Sequence, residues 1–223
     1  QGAAQGQAFF AASGDSGAYG CGNTNLTVDS PADDPYVVGV GGAALHLGST
    51  GSYLSEAAWG NPNDTQGSAN GSGGGGGISS YFPRPAYQHG SRLTQTHREV
   101  PDISANADPA TGDSVYCTVN AASCYGWLPI GGTSAAAPLW AGVAADVNQY
   151  LAARHKPTLG NASATLYWLY NTHQLYPPYH DVTTGTNLYY AASPGYDLAT
   201  GLGTPNAWDM ALDLAQVSKV SIP

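Results

Sequence analysis

The sequence predicts an α/β fold in which a parallel sheet is flanked by helices. Two short apolar runs, residues 7–12 and 127–130, each end in a glycine-flanked turn, and the second turn leads into a long alanine-rich stretch. From Ile103 onward, runs of strand length and helix length alternate as they do in βα units. A chain of 223 residues fits one domain and is long enough to bury a substantial core.

Hydrophobic runs and turn residues predict the elements in chain order. Strands are expected at residues 7–13, 36–40 and 43–47, an extended segment at 81–87, and helices at 134–153 and about 159–170. Residues 61–77 are rich in Gly, Ser and Asn without a hydrophobic period, which predicts an exposed loop. The last helix is expected to have Thr204 as its N-cap and Pro205 as its first residue.

Ser134 lies between the second predicted strand–turn unit and its helix, directly after Gly131, Gly132 and Thr133. Glycines allow a sharp turn and the close approach of a substrate. A serine at the start of a helix has its hydroxyl at the positive end of the helix dipole, where a developing oxyanion is stabilised. Two interpretations fit this position, a helix N-cap and a catalytic nucleophile.

Asp15 follows the first apolar run, in a turn that is also flanked by glycines. Ligands gather where parallel strands end, because those ends share one edge of the sheet. We therefore expect Asp15 and Ser134 to lie at the same edge, and this pairing favours the catalytic interpretation of Ser134.

Five segments make the chain resemble the sedolisins, which are serine-carboxyl peptidases with a subtilisin-like fold. The segments are Gly14-Asp15-Ser16-Gly17, residues 36–42, Gly76-Gly77-Ile78-Ser79, residues 101–109 and the Ser134 motif. Their order and spacing agree along nearly all 223 residues. The resemblance implies a subtilisin-like fold, hydrolysis of peptide or protein substrates, Ser134 as the nucleophile and Asp15 as the oxyanion-hole residue.

The resemblance also implies a base that these residues do not supply. In sedolisins a glutamate activates the serine, is paired with an aspartate four residues later on a helix, and precedes the oxyanion aspartate. Glu56 and Glu99 both follow Asp15, and neither has an aspartate four residues on. We therefore expect residues 1–223 to be the C-terminal part of a single peptidase domain. Its N-terminal strands and Glu/Asp pair would lie on a companion N-terminal chain of the same precursor, held noncovalently or through Cys21.

A second hypothesis comes from a different class of function. The chain would be a retained fragment that acts as a catalytically inactive, protease-like binding or structural protein, since a fold does not fix a function. The presence of both Ser134 and Asp15 weighs against this alternative.

Residues 180–205 contain a candidate metal site. Asp181 and Asp197 offer hard oxygen ligands, and small neighbours let backbone carbonyls turn inward, which suits calcium. Aspartates are also common turn residues, so the spacing leaves both interpretations open. The resemblance implies Ca²⁺ held by these two side chains and by the carbonyls of Val182, Ser193 and Gly195, with Ser193 where glycine is expected.

Composition limits the partners and the working conditions. Charged residues make up 9% of the chain, with 6 Lys+Arg against 15 Asp+Glu and a formal net charge of −9. This balance argues against nucleic acid and anionic membranes as partners. A protein with few paired carboxylates loses few interactions to protonation, so the composition suits an acidic environment.

Cysteines and glycosylation sequons indicate an oxidising compartment. Cys117 and Cys124 lie in a predicted hairpin, which favours a local disulfide between them. A metal site is a weaker interpretation, because the sequence has no second cysteine pair with ligand spacing. Cys21 is left over, either as a buried free thiol or as a partner for another chain. Four sequons also favour a secreted or lumenal protein, and they begin at Asn25, Asn63, Asn70 and Asn161.

Overall fold

The computed structural model of the chain describes residues 1–22, 24–64, 70–90, 92–121 and 124–216. The strands are β1 Phe10–Ala12, β2 Val38–Leu47, β3 Tyr53–Ala58, β4 Gly60–Asn61, β5 Ser72–Gly73, β6 Gly77–Pro83, β7 His97–Val100, β8 Ile103–Asn106, β9 Asp113–Ala121, β10 Cys124–Ile130, β11 Tyr179–His180 and β12 Thr204–Pro205. The α-helices are α1 Thr133–Ala152, α2 Ala162–Asn171 and α3 Ala207–Gln216. Short 3-10 helices span Ala3–Gln5, Gly20–Gly22 and Pro109–Thr111.

Strand β2 lies at the centre of a four-stranded sheet. It runs parallel to β1, with Phe10 opposite Val38, and parallel to β8, with Val40 opposite Ile103. Its C-terminal half pairs with β3 in the antiparallel direction. Among the described residues β1 pairs with β2 alone, so its other edge carries unpaired backbone groups. The predicted α/β fold with a parallel sheet and flanking helices is confirmed, with one antiparallel strand added.

Strand β2 continues through Gly41 and Gly42 without a break, so the prediction of two separate strands here is wrong. A Cβ atom on Gly41 would lie 2.7 Å from the ring of Pro101, and one on Gly42 would lie 2.8 Å from the ring of Trp59. These two glycines therefore let neighbouring groups approach the sheet and do not turn the chain.

The prediction of an exposed loop at residues 61–77 is wrong for its second half. Residues 71–77 are buried, while residues 65–69 lie outside the described residues. A Cβ atom on Gly75 would lie 1.8 Å from the carbonyl oxygen of Ser13. Since only glycine lets two backbone segments approach this closely, the glycine-rich composition reflects close packing.

Helix α1 packs across β1, β2 and β8, and α3 packs against α1. The indole N–H of buried Trp140 donates to the carbonyl oxygen of Ser104 in β8, at 2.8 Å. The core that these helices and strands enclose includes Val38, Val40, Ile103, Trp140, Ala144, Val147, Leu151, Leu166 and Met210.

In the described part of the chain, no helix has the length and apolarity that crossing a membrane requires.

Helix α3 begins at Ala207, so the prediction of Thr204 as its N-cap and Pro205 as its first residue is wrong. Thr204 and Pro205 instead form β12, which pairs with β11. The Thr204 hydroxyl donates to Oε2 of Glu56 at 2.6 Å. A tertiary partner has therefore taken the side chain that the local sequence assigns to a cap.

Strands β9 and β10 form an antiparallel hairpin in which Trp127 lies opposite Tyr116. The predicted disulfide between Cys117 and Cys124 is confirmed. Cys21 is free and exposed, so its interpretation as a buried thiol is wrong.

A buried ion pair connects β7 to the residue before β8. Arg98 donates to both carboxylate oxygens of Asp102, at 2.6 Å for Nη2–Oδ2 and 2.7 Å for Nη1–Oδ1. The Tyr167 hydroxyl donates to the same carboxylate at 2.9 Å, and so does the Gly39 N–H at 2.7 Å. Asp102 therefore holds β2, β7 and α2 together.

Replacing Asp102 with alanine would leave the Arg98 guanidinium as an uncompensated buried charge. We expect Asp102→Ala to lower the free energy of unfolding by about 3–5 kcal/mol, measured by chemical denaturation. Asp146 is exposed in α1, and Asp146→Ala should change the value by no more than about 0.5 kcal/mol. Equal stability of the two variants would show that the ion pair contributes little.

Candidate active site

Asp15 is in direct contact with the start of helix α1. The backbone N–H of Thr133 donates to Oδ1 of Asp15 at 2.7 Å, and the Thr133 hydroxyl donates to the same oxygen at 2.8 Å. The N–H of Gly14 donates to that hydroxyl at 3.1 Å. The structure thus joins the two segments, although Asp15 and Thr133 are 118 residues apart in the chain. The reason given for expecting them together is wrong, because β10, which precedes Ser134, pairs with β9 in a separate antiparallel ribbon and not with the sheet that contains β1.

Ser134 is the second residue of α1, and its side chain is exposed. Gly132, which has no side chain to cap the helix itself, occupies the N-cap position, so the interpretation of Ser134 as the N-cap is wrong. The Asp15 carboxylate takes over this function by accepting the first N–H of the helix. A negative charge at a helix N-terminus is also favoured by the helix dipole.

Gly132 separates the second carboxylate oxygen of Asp15 from the hydroxyl of Ser134. Its φ is +95°, a conformation that favours glycine. A Cβ atom on Gly132 would lie 2.8 Å from Oδ2 of Asp15 and 3.1 Å from Oγ of Ser134. These two oxygens therefore face the same small space, and Oδ2 is the carboxylate oxygen that Thr133 leaves free.

The buried glycine segment holds the Asp15 loop from its other side. The N–H of Gly73 donates to the Asp15 carbonyl at 2.9 Å, and the N–H of Gly75 donates to the Gly14 carbonyl at 2.7 Å. The Ser13 hydroxyl donates to the carbonyl of Gly75 at 2.7 Å. Sequence reasoning missed this support. The available signal was the run of five consecutive glycines at residues 73–77, because so many glycines together suggest close backbone contact.

A cavity of about 480 Å³ opens beside Asp15 and Gly132. Its other walls include Trp59, Ser72, Pro129 and Ile130. A concave surface lined by both apolar and polar groups, the latter including Asp64, suits part of a bound peptide.

Neither glutamate is placed to serve Ser134. Glu56 accepts a hydrogen bond from Thr204, and Glu99 accepts one from the N–H of Gln95 at 3.2 Å. Burial raises the pKa of both carboxyl groups. Within the described residues no side chain hydrogen-bonds to Oγ of Ser134.

The two predicted calcium-binding aspartates contact one short turn. Asp181 accepts a hydrogen bond from the N–H of Gly195 at 2.9 Å, and Asp197 accepts one from the N–H of Ser193 at 2.8 Å. Gly195 has φ +79°. Burial raises the pKa of Asp197, although backbone hydrogen bonds to its carboxylate act in the opposite direction.

The candidate metal ligands near this turn suit a hard cation, because each of them is an oxygen atom. In the described ranges, no three His, Cys, Asp or Glu side chains are grouped as metal ligands. A metal at this turn would therefore need backbone carbonyls beside the two carboxylates, and the resemblance to the sedolisins implies those of Val182, Ser193 and Gly195.

Comparisons with known proteins agree with this fold. A model of the subtilase family matches residues 1–186. Kumamolisin from Bacillus sp. (strain MN-32) is 38% identical over 219 residues, which cover 91% of this chain and 35% of that protein. Sedolisin from Pseudomonas sp. (strain 101) is 36% identical over 224 residues, which cover 97% of this chain and 35% of that protein. Tripeptidyl-peptidase 1 from Homo sapiens is 29% identical over 238 residues, which cover 92% of this chain and 36% of that protein.

A solved structure has the same fold. Pseudomonas sedolisin, a serine-carboxyl proteinase complexed with two molecules of pseudo-iodotyrostatin, matches with a TM-score of 0.79 at 33% identity, covering 94% of this chain and 56% of that one. The family model and this structural match assign the α/β fold to the subtilisin-like class. The chain belongs to the subtilase family, and within it to the sedolisins. It spans about a third of the length of the relatives named above.

Gly132 gives a direct test of the geometry around Asp15. We expect Gly132→Ala to destabilise the fold by about 1–3 kcal/mol, since alanine would be strained at this φ and its Cβ would press on the Asp15 carboxylate. Thermal or chemical denaturation measures the change.

Gly142 provides the matched control, because it lies exposed in α1 and a Cβ atom there would meet nothing within 4 Å. Gly142→Ala should stabilise the protein by about 0.4–1 kcal/mol. The geometry described for Gly132 would be refuted by a Gly132→Ala variant as stable as Gly142→Ala.

Proposed function

We propose that residues 1–223 of this chain form the C-terminal part of the catalytic domain of an acid-active serine-carboxyl endopeptidase. The observation that carries the proposal is the placement of the exposed Ser134 hydroxyl and the free Asp15 oxygen on either side of Gly132. Membership of the sedolisin group supports peptides and proteins as the substrates.

In the proposed reaction, Oγ of Ser134 attacks the carbonyl carbon of the scissile peptide bond. Its proton passes to a glutamate base, which later returns a proton to the leaving amine. The protonated Oδ2 of Asp15 donates a hydrogen bond to the oxyanion of the tetrahedral intermediate. The positive end of the α1 dipole acts on the same oxyanion.

Thr133 orients Asp15 for this step. Because both Thr133 donors bind Oδ1, the carboxyl group is held in one rotation and Oδ2 remains toward Ser134. An ionised Asp15 would repel the oxyanion, whereas the acid form donates to it. Aspartic acid side chains keep their proton only in acid, so we expect activity to be highest there and to fall as Asp15 ionises.

The base is assigned to a companion N-terminal chain of the same precursor. Two features support this assignment: Ser134 has no base among the described residues, and β1 offers an edge with unpaired backbone groups. A strand edge of this kind is normally covered or paired.

Asp15 tests the proposal most sharply when its two substitutions are compared. Asp15→Ala should lower kcat at acid pH by about 10²–10³, the loss typical of one oxyanion donor. Asp15→Asn keeps an oxygen for Thr133 and an N–H for the oxyanion, so it should retain part of the activity. Its activity should also fall less steeply than that of the wild type as the pH rises. Initial rates on a peptide substrate across the acid range measure both effects.

Two controls separate catalysis from folding. Ser134→Ala should be inactive and fully folded, since its side chain is exposed. Thr133→Val removes the hydroxyl with its hydrogen bonds to Asp15 and Gly14 but keeps the backbone N–H contact to Asp15, so it should lower kcat less than Asp15→Ala. A folded Asp15→Ala enzyme with wild-type turnover at acid pH would exclude the oxyanion role. If the fully processed wild-type protein, including its companion chain, hydrolysed no peptide, the catalytically silent alternative would be correct.

We also propose that calcium binds Asp181 and Asp197 together with the carbonyls of Val182, Ser193 and Gly195. The ion would neutralise the two carboxylates and connect residues 181–182 to the turn that follows. Its contribution is therefore to folding, and no catalytic step passes through it.

Calcium should raise the melting temperature by about 5–10 °C at 100-fold excess over Kd, and a chelator should reverse the rise. Asp181→Asn should lose most of this response, because the amide keeps an acceptor for the Gly195 N–H but lacks the charge. Asp146→Asn, an exposed change elsewhere, should respond like wild type. A chelator-insensitive wild-type protein would contradict the site.

The companion chain is tested by the mass of the active species. Native mass spectrometry of the protein processed from its full precursor should show this 22.8 kDa chain bound to a second polypeptide of roughly 100–200 residues. Reduction should release the second polypeptide only if Cys21 links the two. An active monomer of 22.8 kDa would contradict the assignment of the base.

A secreted or lumenal, acidic location is the compartment we infer for this activity. Asn25 and Asn63 are exposed, as glycan acceptors must be, while Thr65 of the second sequon lies outside the described residues.

A further inference from the structure

The hairpin of β9 and β10 carries an exposed aromatic face. Tyr116 lies opposite Trp127, and Ser114 lies opposite Pro129, so Tyr116, Trp127 and Pro129 share one face of the ribbon. We call these three residues the aromatic face. The rings of Tyr116 and Trp127 meet edge to face, with centroids 5.2 Å apart. Their exposed fractions are 51% and 70%, which is unusual for such large apolar side chains.

The aromatic face is continuous with the candidate active site. Strand β10 ends at Ile130, two residues before the Gly132 turn, and Pro129 is also a wall of the cavity beside Asp15. Alternate residues of a strand lie about 6.6–6.8 Å apart on the same face. The side chain of Trp127 is therefore about one such step beyond Pro129, within reach of an extended peptide bound at the cavity.

The chemistry of the hairpin indicates what it binds. Residues 113–130 contain one charged side chain, Asp113, which lies at the end of the hairpin nearest α1. An uncharged aromatic surface favours large apolar or aromatic side chains, and its character does not change in acid. The Cys117–Cys124 disulfide links the two strands next to Tyr116, so less conformational freedom is lost when a ligand binds.

We propose that the aromatic face binds the substrate polypeptide, holding a large apolar or aromatic side chain a few residues from the bond that Ser134 attacks. The inference rests on the proposed peptidase function and adds to it a preference for long, apolar substrates. Trp127 acts here as a specificity-determining residue.

The test compares two peptides with the fully processed enzyme. Both share the residues around the scissile bond and extend four residues to each side, but one carries phenylalanine in the extensions and the other carries serine. Wild-type enzyme should cleave the phenylalanine peptide with a kcat/KM about tenfold higher, mainly through KM, as expected for one aromatic contact. Trp127→Ala should bring the ratio close to one, and Trp127→Phe should retain most of it.

Trp208 supplies a matched control, because it is 61% exposed, lies on α3 and also packs edge to face on a tyrosine. Trp208→Ala should keep the wild-type ratio. If Trp127→Ala lowered the rates on both peptides equally, or if it kept the tenfold ratio, the inference would be overturned. It would also be overturned if Trp127→Ala released the companion chain, or abolished a dimer detected by sedimentation, since another protein would then cover the face.

Binding separates this inference from the proposed function. Calorimetry with the Ser134→Ala protein should show tighter binding of the phenylalanine peptide, and the additional Trp127→Ala change should remove the difference. If wild-type protein cleaved no peptide but this difference in binding remained, the peptidase proposal would fail and the aromatic face would stand. If the two peptides bound equally, the aromatic face would fail regardless of cleavage.

Discussion

The contact between Asp15 and Thr133 is the interaction on which the site depends. It joins the loop after β1 to the first residue of α1, two points 118 residues apart in the chain. Through it one carboxylate caps the helix, fixes its own rotation and directs its free oxygen toward Ser134. The glycines at 73 and 75 complete the arrangement, because their backbone N–H groups hold the Asp15 loop from the other side.

In the proposed mechanism Asp15 has two functions that differ in their charge requirement. A helix cap is favoured by the ionised carboxylate, since the helix N-terminus carries partial positive charge. Oxyanion stabilisation in the proposed mechanism requires the protonated form. A protein that works in acid meets both needs, because Oδ1 accepts from Thr133 in either state while Oδ2 gains a proton to donate. The proposed mechanism therefore ties its expected acid activity to a residue that also supports the fold.

Local chemistry made part of the structure predictable. The apolar run, paired glycines and alanine-rich stretch around Ser134 predicted the start of α1 to within one residue, and the cysteine spacing predicted the hairpin disulfide. What the sequence did not show was contact between distant segments. Gly42 and Gly75 suggested turns or an exposed loop, but each is a site of close packing, Gly42 against Trp59 and Gly75 against Ser13. Thr133 gave no local sign that it anchors Asp15.

The most direct test of the central claim is covalent labelling of the processed protein with a fluorophosphonate at acid pH, followed by peptide mass spectrometry. The account predicts that the label is found on Ser134, that a peptide substrate slows its attachment, and that Ser134→Ala abolishes it. A preparation that hydrolyses peptides while Ser134 remains unlabelled, or carries the label on another residue, would contradict the account.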